Sequence, residues 1–315
     1  MLIINNEQAF NYHCIIKYLP KRLRKYISCV NLSEVEEIRL RRGQPLTICG
    51  LGGHFFISER GTVSKIISNA VLITDDDIND AISLLSQSSL YAVEESLKNG
   101  YITVGGGNRV GICGHAEIID GKIKSISKFS GLNYRLAREI VGIGNDLARK
   151  VENGGNLLNT LIISPPGCGK TTLLRDTIRE LSNKGYKVSV VDERNEISAL
   201  HNGYAGFDLG FSSDVIEGVG KEEGFLLMLR SMSPDIIATD EIGCNTDYDT
   251  VIKAKKFGVC VIATAHAKSA DDIRQTNELF YNAFDCVVTL GRSRGVGTVE
   301  DICFLNNTKE PICND

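Results

Sequence analysis

Residues 164–171 read Ser164-Pro165-Pro166-Gly167-Cys168-Gly169-Lys170-Thr171, between the apolar run Leu161-Ile162-Ile163 and the helix-forming stretch Thr172-Leu173-Leu174-Arg175-Asp176. An apolar strand, a glycine-bearing turn and a helix in that order predict a loop whose backbone amides and helix N-terminus face an anion. Lys170 adds a cation, and the Thr171 hydroxyl a ligand for Mg2+. The expected anion is the phosphate chain of a nucleoside triphosphate, held by Ser164, Pro165, Pro166, Gly167, Cys168, Gly169, Lys170, Thr171 and Thr172. Ser164 stands where the usual pattern has glycine. Gly167, Gly169, Lys170 and Thr171 keep the rest of it, and the two prolines stiffen the turn.

About seventy residues on, Pro234-Asp235-Ile236-Ile237-Ala238-Thr239-Asp240-Glu241 is a short apolar run that ends in two carboxylates. It reads as a buried parallel strand delivering acids to its C-terminal edge, the edge at which α/β sheets bind ligands. One acid would hold Mg2+ and the other would orient or deprotonate an attacking water. Asp240 is read as the metal partner and Glu241 as the base, with the reverse division left open by the sequence. Two further segments end strands beside this pair. Val190-Val191-Asp192-Glu193-Arg194-Asn195-Glu196 carries a charged cluster from which Asp192 or Glu193 could position water, the alternative being a structural ion-pair network. Ala263-Thr264-Ala265-His266-Ala267 offers an imidazole that could sense the terminal phosphate.

The chain has 315 residues, enough for two domains. Its 10 cysteines contain no Cys-x-x-Cys pair and no metal-like spacing with histidine, so they read as reduced thiols of a cytosolic protein. No signal peptide is apparent, and no apolar run is long enough to span a membrane. Residues 1–150 hold 19 Lys and Arg against 15 Asp and Glu, while the remainder is acidic. The clusters Lys21-Arg22-Leu23-Arg24-Lys25 and Arg39-Leu40-Arg41-Arg42 carry much of the basic excess and read first as a solvated face.

From Leu157 onward strand and helix patterns alternate, with strands at 160–164, 187–191, 235–239, 258–264 and 285–290 and a final extended piece at 298–305. This predicts a parallel sheet covered on both faces. The first half looks mixed. Residues 37–48, 54–57 and 101–119 look extended, and Thr74 opens a helix with Asp75, Asp76 and Asp77 in its first turn. The expected architecture is α/β: a smaller α+β domain over 1–140, a glycine-marked linker over 141–156 with a short helix at 145–151, and a RecA-like P-loop domain over 157–315.

Taken in order, these segments resemble the secretion ATPases, the motors of type II and type IV secretion and of type IV pili. The phosphate loop, the acidic segment 191–196, the stretch 229–241 and Thr264-Ala265-His266-Ala267 are similar to that superfamily's successive motifs. In the first half, Glu36-Glu37-Ile38-Arg39-Leu40-Arg41-Arg42-Gly43-Gln44-Pro45, Asn108-Arg109-Val110-Gly111 and Asn133-Tyr134-Arg135-Leu136-Ala137-Arg138 resemble strands of its amino-terminal domain. Val191 to Ile197, Asp208-Leu209-Gly210, and Arg230 to Asp235 with Asp240 to Gly243 are similar to its sporulation branch, the stage III sporulation protein AA family.

The resemblance implies ATP with Mg2+ as cofactor, and a hexameric ring docked on membrane proteins of a channel between mother cell and forespore. The chain itself would be cytoplasmic, peripheral to the mother-cell side of the forespore membrane. As catalytic residues it implies Glu241, Glu193 and His266, with Arg109, Arg135 and Arg138 closing over the phosphates. Two other classes are weighed: a nucleic-acid-stimulated AAA-type remodelling ATPase, disfavoured by the acidic carboxyl half and the lack of an added nucleic-acid module, and a nucleotide-gated scaffold.

Overall fold

The computed structural model describes residues 14–50, 52–86, 100–201, 203–276 and 278–305. The chain divides into two compact units, Met1–Glu139 with Ala199–Gly206, and Ile140–Ser198 with Phe207–Asp315.

In the first unit, alternating patterns make an antiparallel sheet with one buried face. Its strands are β1 (Val35–Arg41), β2 (Thr47–Gly50), β3 (Gly53–Ile57), β4 (Val63–Ser64), β5 (Tyr101–Val104), β6 (Asn108–Ile119) and β7 (Lys122–Arg135). They lie in the order β4-β3-β2-β1-β7-β6-β5. The extended stretch expected over 37–48 is two strands, because Gly43 takes φ +69° and turns the chain between them. Ile38 and Leu40 of β1 point into a core with Leu132 and Tyr134 of β7, and helices α1 (Lys21–Ile27) and α2 (Asp75–Leu85) cover it. Thr74 caps α2 with a capping box to Asp77. The basic clusters are largely committed: Arg22 pairs with Asp77 (2.5 Å), Arg42 with Asp75 (2.6 Å), and Arg24 donates to the carbonyls of Leu19 and Lys17.

The second unit carries α3 (Asn145–Val151), a small hairpin of β8 (Glu152–Asn153) and β9 (Asn156–Leu157), then β10 (Thr160–Ile163), α4 (Lys170–Asn183), β11 (Val188–Asp192), β12 (Ser213–Glu217), α5 (Lys221–Ser231), β13 (Ile236–Thr239), α6 (Asn245–Lys256), β14 (Cys260–Ala265), α7 (Ala270–Thr276), α8 (Glu278–Ala283), β15 (Cys286–Gly291) and β16 (Thr298–Phe304). The sheet order is β12-β11-β13-β14-β10-β15-β16, parallel throughout except for the last strand. Alternate residues of each central strand feed opposite cores. Ile162 joins Leu174 and Ile178 of α4, whereas Leu161 and Ile163 join Phe225 of α5 and Val251 of α6. Strands buried on both faces are therefore apolar throughout, which is why they were legible. β12 was not expected: it is an edge strand with Asp214 and Glu217 exposed, so no apolar run marks it.

The stretch expected as a linker, 141–156, belongs to the second unit. Leu147, Ala148 and Val151 of α3 lie in the same core as α4. The join is tight: the Gly144 N–H donates to Asp176 Oδ2 at 2.6 Å, and a β-carbon on Gly144 would lie 2.4 Å from the Thr177 nitrogen. Gly144→Ala is therefore expected to lower unfolding stability by about 2–4 kcal/mol, read by denaturant titration. Gly220→Ala, with open space around it and φ −63°, should stay within about 0.5 kcal/mol.

Candidate functional site

β10 ends at Ile163, and the phosphate loop turns from it into α4. Gly167 and Gly169 take φ +70° and +88°, a backbone region that suits glycine and explains why those two positions are glycine. Ser164 is fully buried and outside the positive-φ set, so nothing in its backbone demands glycine. Its hydroxyl donates to the Pro165 carbonyl at 2.7 Å, which accommodates the departure from the usual pattern. Cys168 is buried in the core facing α4. The Lys170 ammonium donates to the carbonyls of Ser164 (3.1 Å) and Pro165 (3.4 Å) and to the Ser164 hydroxyl (3.3 Å). Thr171 and Thr172 follow in the first turn of the helix.

The strand order decides what faces this loop. β13, which carries the acids, is not the neighbour of β10; β14 lies between them and brings His266 into the gap. Lys170 Nζ is 3.1 Å from His266 Nδ1, and His266 Nε2 is 3.3 Å from Glu241 Oε1. An ammonium only donates, so Nδ1 accepts and the imidazole proton sits on Nε2, facing the carboxylate. The other oxygen, Glu241 Oε2, accepts from Arg194 Nη1 at 2.8 Å. Lysine, imidazole, carboxylate and guanidinium thus form one polar chain across four strand ends. Burial holds the Lys170 amine below its usual pKa, with Glu241 opposing that fall.

Asp240 is a different case. It is 4 % exposed, and neither carboxylate oxygen has a hydrogen-bond partner. Its nearest counter-charge is the Lys221 amine, 3.5 Å away, which also pairs with Glu193. Burial pushes the Asp240 carboxyl up to about 6, with Lys221 pulling down and Asp192 and Glu193 adding to the rise. Two orphaned buried oxygens beside a phosphate loop fit a divalent cation, and a nucleotide-bound Mg2+ needs only one or two protein ligands. Asp192 corrects one expectation. Its oxygens accept from the amides of Glu196, Ile197 and Ser198 and from the Ser198 hydroxyl, so it shapes the turn and is not available to water. Glu193 remains half-exposed on Lys221.

Residues 11–308 match the family described as Sporulation stage III, protein AA. The chain belongs to that family. Over 301 residues it is 36% identical to Stage III sporulation protein AA of Bacillus subtilis (strain 168), covering 91% of this chain and 94% of that protein. Among solved structures it is similar to the Legionella pneumophila ATPase DotB (TM-score 0.53, 14% identity, 86% of this chain and 76% of that one). It is likewise similar to the pilus retraction motor PilT with bound ADP (TM-score 0.55, 17% identity, 85% and 76%). At those identities the likeness establishes the fold, a RecA-like P-loop domain with a parallel sheet.

In this family member the three expected arginines lie in the first unit. Arg109 of β6 and Arg135 of β7 are direct cross-strand partners, and on its other side Arg135 is directly opposite Glu37 of β1. The Arg109 guanidinium lies 5.1 Å from the Tyr101 ring centre, and Arg135 Nε is 3.9 Å from Glu37. Arg138 stands 4.0 Å from Glu36, with its Nε and Nη2 buried and without hydrogen-bond partners.

Two residues were missed as site members. Arg194 was visible in the charged segment, but its link to Glu241 depends on β11 and β13 being neighbours. Lys221 opens α5, where the helix dipole disfavours a cation, and that local conflict is the one signal the sequence offers.

No helix among the described residues is long and apolar enough to cross a membrane. Asp240→Asn is expected to stabilise the protein at pH 8 by about 1–2 kcal/mol in thermal unfolding, since a raised carboxyl pKa means the ionised form strains the folded state. The sign of the pKa shift makes that gain full above about pH 6, and it should fade as pH falls toward the unfolded value near 4, where both states carry the proton.

Proposed function

We propose that this chain is an ATP-hydrolysing motor of the secretion-ATPase type, acting at the channel between mother cell and forespore. The observation that carries the reading is the convergence, at one sheet edge, of the phosphate loop, the Lys170–His266–Glu241–Arg194 chain and the orphaned Asp240. Loop amides and Lys170 hold the phosphates. Thr171 and Asp240 would hold Mg2+, which when bound neutralises phosphate charge. Glu241 orients the attacking water and takes its proton, Arg194 holds one oxygen of that carboxylate in place, and Glu193 steadies Lys221 beside Asp240. His266 joins Lys170 to Glu241, so a shift at the lysine on loss of the terminal phosphate reaches the base.

Membership of the sporulation family supports the setting: a hexameric ring, docked on membrane proteins from the mother-cell side. In such a ring Arg109, Arg135 and Arg138 of a neighbouring subunit are the candidates to neutralise transition-state charge, a contribution of roughly 10³ to 10⁵ in rate. One observation favours a second reading. Both oxygens of Glu241 are engaged, which suits a scaffold that binds nucleotide without turning it over.

ATP turnover measured over a protein concentration series, with mass followed by light scattering, separates the two. A motor shows turnover that rises with assembly and is lost in Lys170→Ala and Glu241→Gln, the latter still binding ATP. A scaffold shows nucleotide-dependent assembly that Glu241→Gln leaves intact, and no turnover. Arg109→Ala should keep ATP binding within about twofold while turnover falls at least a hundredfold. Unchanged turnover would remove it from the site.

A further inference from the structure

Asp240, Glu241, His266 and Arg194 all lie on the β14 side of β10, toward β13 and β11. A triphosphate whose terminal phosphate faces them must run across the loop in the opposite direction, toward β15 and β16. There the connection between those strands, residues 292–297, rests on the phosphate loop itself. Arg292 Nη2 donates to the Gly167 carbonyl at 3.1 Å. Gly297 and Val296 pack against Gly169: a β-carbon there would lie in van der Waals contact, 3.4 Å from the Gly297 Cα and 3.7 Å from a Val296 methyl.

This turn is built rather than loose. The Ser293 amide and hydroxyl donate to the two oxygens of Glu300, at 2.9 and 2.8 Å. Those bonds hold the Glu300 carboxyl below its usual pKa. Gly291 has no side chain where one would collide with Glu300, and the Gly295 amide closes the turn on the Arg292 carbonyl at 3.1 Å. Gly295 takes φ +124°, and Thr298 bonds its carbonyl through both amide and hydroxyl. The anchored turn carries Val296, an apolar side chain that packs on Gly169 and is 67% exposed. A single exposed valine is ordinary on a surface; its place does the pointing, on an anchored turn that rests on the phosphate loop opposite the acids.

We propose that the turn 292–297 is the base and ribose subsite of the nucleotide, with Val296 as the apolar platform for the base ring and Arg292 as the positioning residue that ties the platform to the loop. The inference rests on the nucleotide reading above. A valine contacts the face of a ring and has no group to read its edge, so the platform adds affinity for a nucleoside over bare phosphate.

Calorimetry with the full chain, comparing Mg·ATP with Mg·tripolyphosphate, tests it. Wild type should bind ATP at least tenfold more tightly than tripolyphosphate. Val296→Ser should weaken ATP by about five- to tenfold, the value of an aliphatic side chain covered on one face only, and leave tripolyphosphate within twofold. In Val296→Trp, indole fluorescence should change on adding ATP and stay constant on adding tripolyphosphate. Arg292→Gln should lose the ATP preference while thermal unfolding stays cooperative. Equal losses for both ligands in Val296→Ser, or no loss for ATP, would overturn the subsite. Wild-type protein that binds neither ligand would instead remove the nucleotide reading itself.

Discussion

The placement of β14 between β10 and β13 is the constraint on which the candidate site depends. With the strands in that order, an imidazole that ends β14 has the phosphate-loop lysine on one side and the second acid of β13 on the other. Had β13 been the direct neighbour of β10, Glu241 would face Lys170 without an intermediary. The order is maintained by the paired cores on the two faces, since Ile262 packs toward α4 while Val261 and Ala263 pack toward α5 and α6. Apolar burial of this kind is non-directional, and backbone pairing then fixes which strand lies beside which.

Charge at this edge is arranged in pairs that are each different in kind. Asp192 is satisfied by amides, Glu193 by an amine, Glu241 by a guanidinium and an imidazole. Asp240 alone among these four keeps both oxygens without a hydrogen bond, although it is the most deeply buried of the carboxylates whose pKa is raised here. Leaving such a group unsatisfied costs stability. Arg175 of α4 ties the acidic turn to the phosphate-loop helix, donating to the carbonyls of Glu196 and Ile197 at 2.7 Å each and stacking on Phe207. The phosphate loop and the charged segment are thereby held as one piece.

The family and the fold are supported by different distances of likeness. The sporulation relative matches along nearly the whole chain, so that likeness spans both units. DotB and PilT share little sequence and still share the arrangement, because a parallel sheet with a loop-to-helix anion site can be built from many apolar sequences.

By itself the sequence determined the central strands, the phosphate loop and the two terminal acids. Residues buried on both faces must be apolar throughout, and a loop that cradles phosphate must place glycine at positive φ, as at Gly167 and Gly169. The capped helix after Thr74 was equally legible, because its signal is local. Tertiary structure alone decided the rest. It placed His266 between Lys170 and Glu241, gave Asp192 to the turn, brought Lys221 to Asp240, laid residues 292–297 on the phosphate loop and joined 199–206 to the first unit. Each of these depends on contacts between residues distant in the chain, and local propensity carries no information about which strand edges become neighbours.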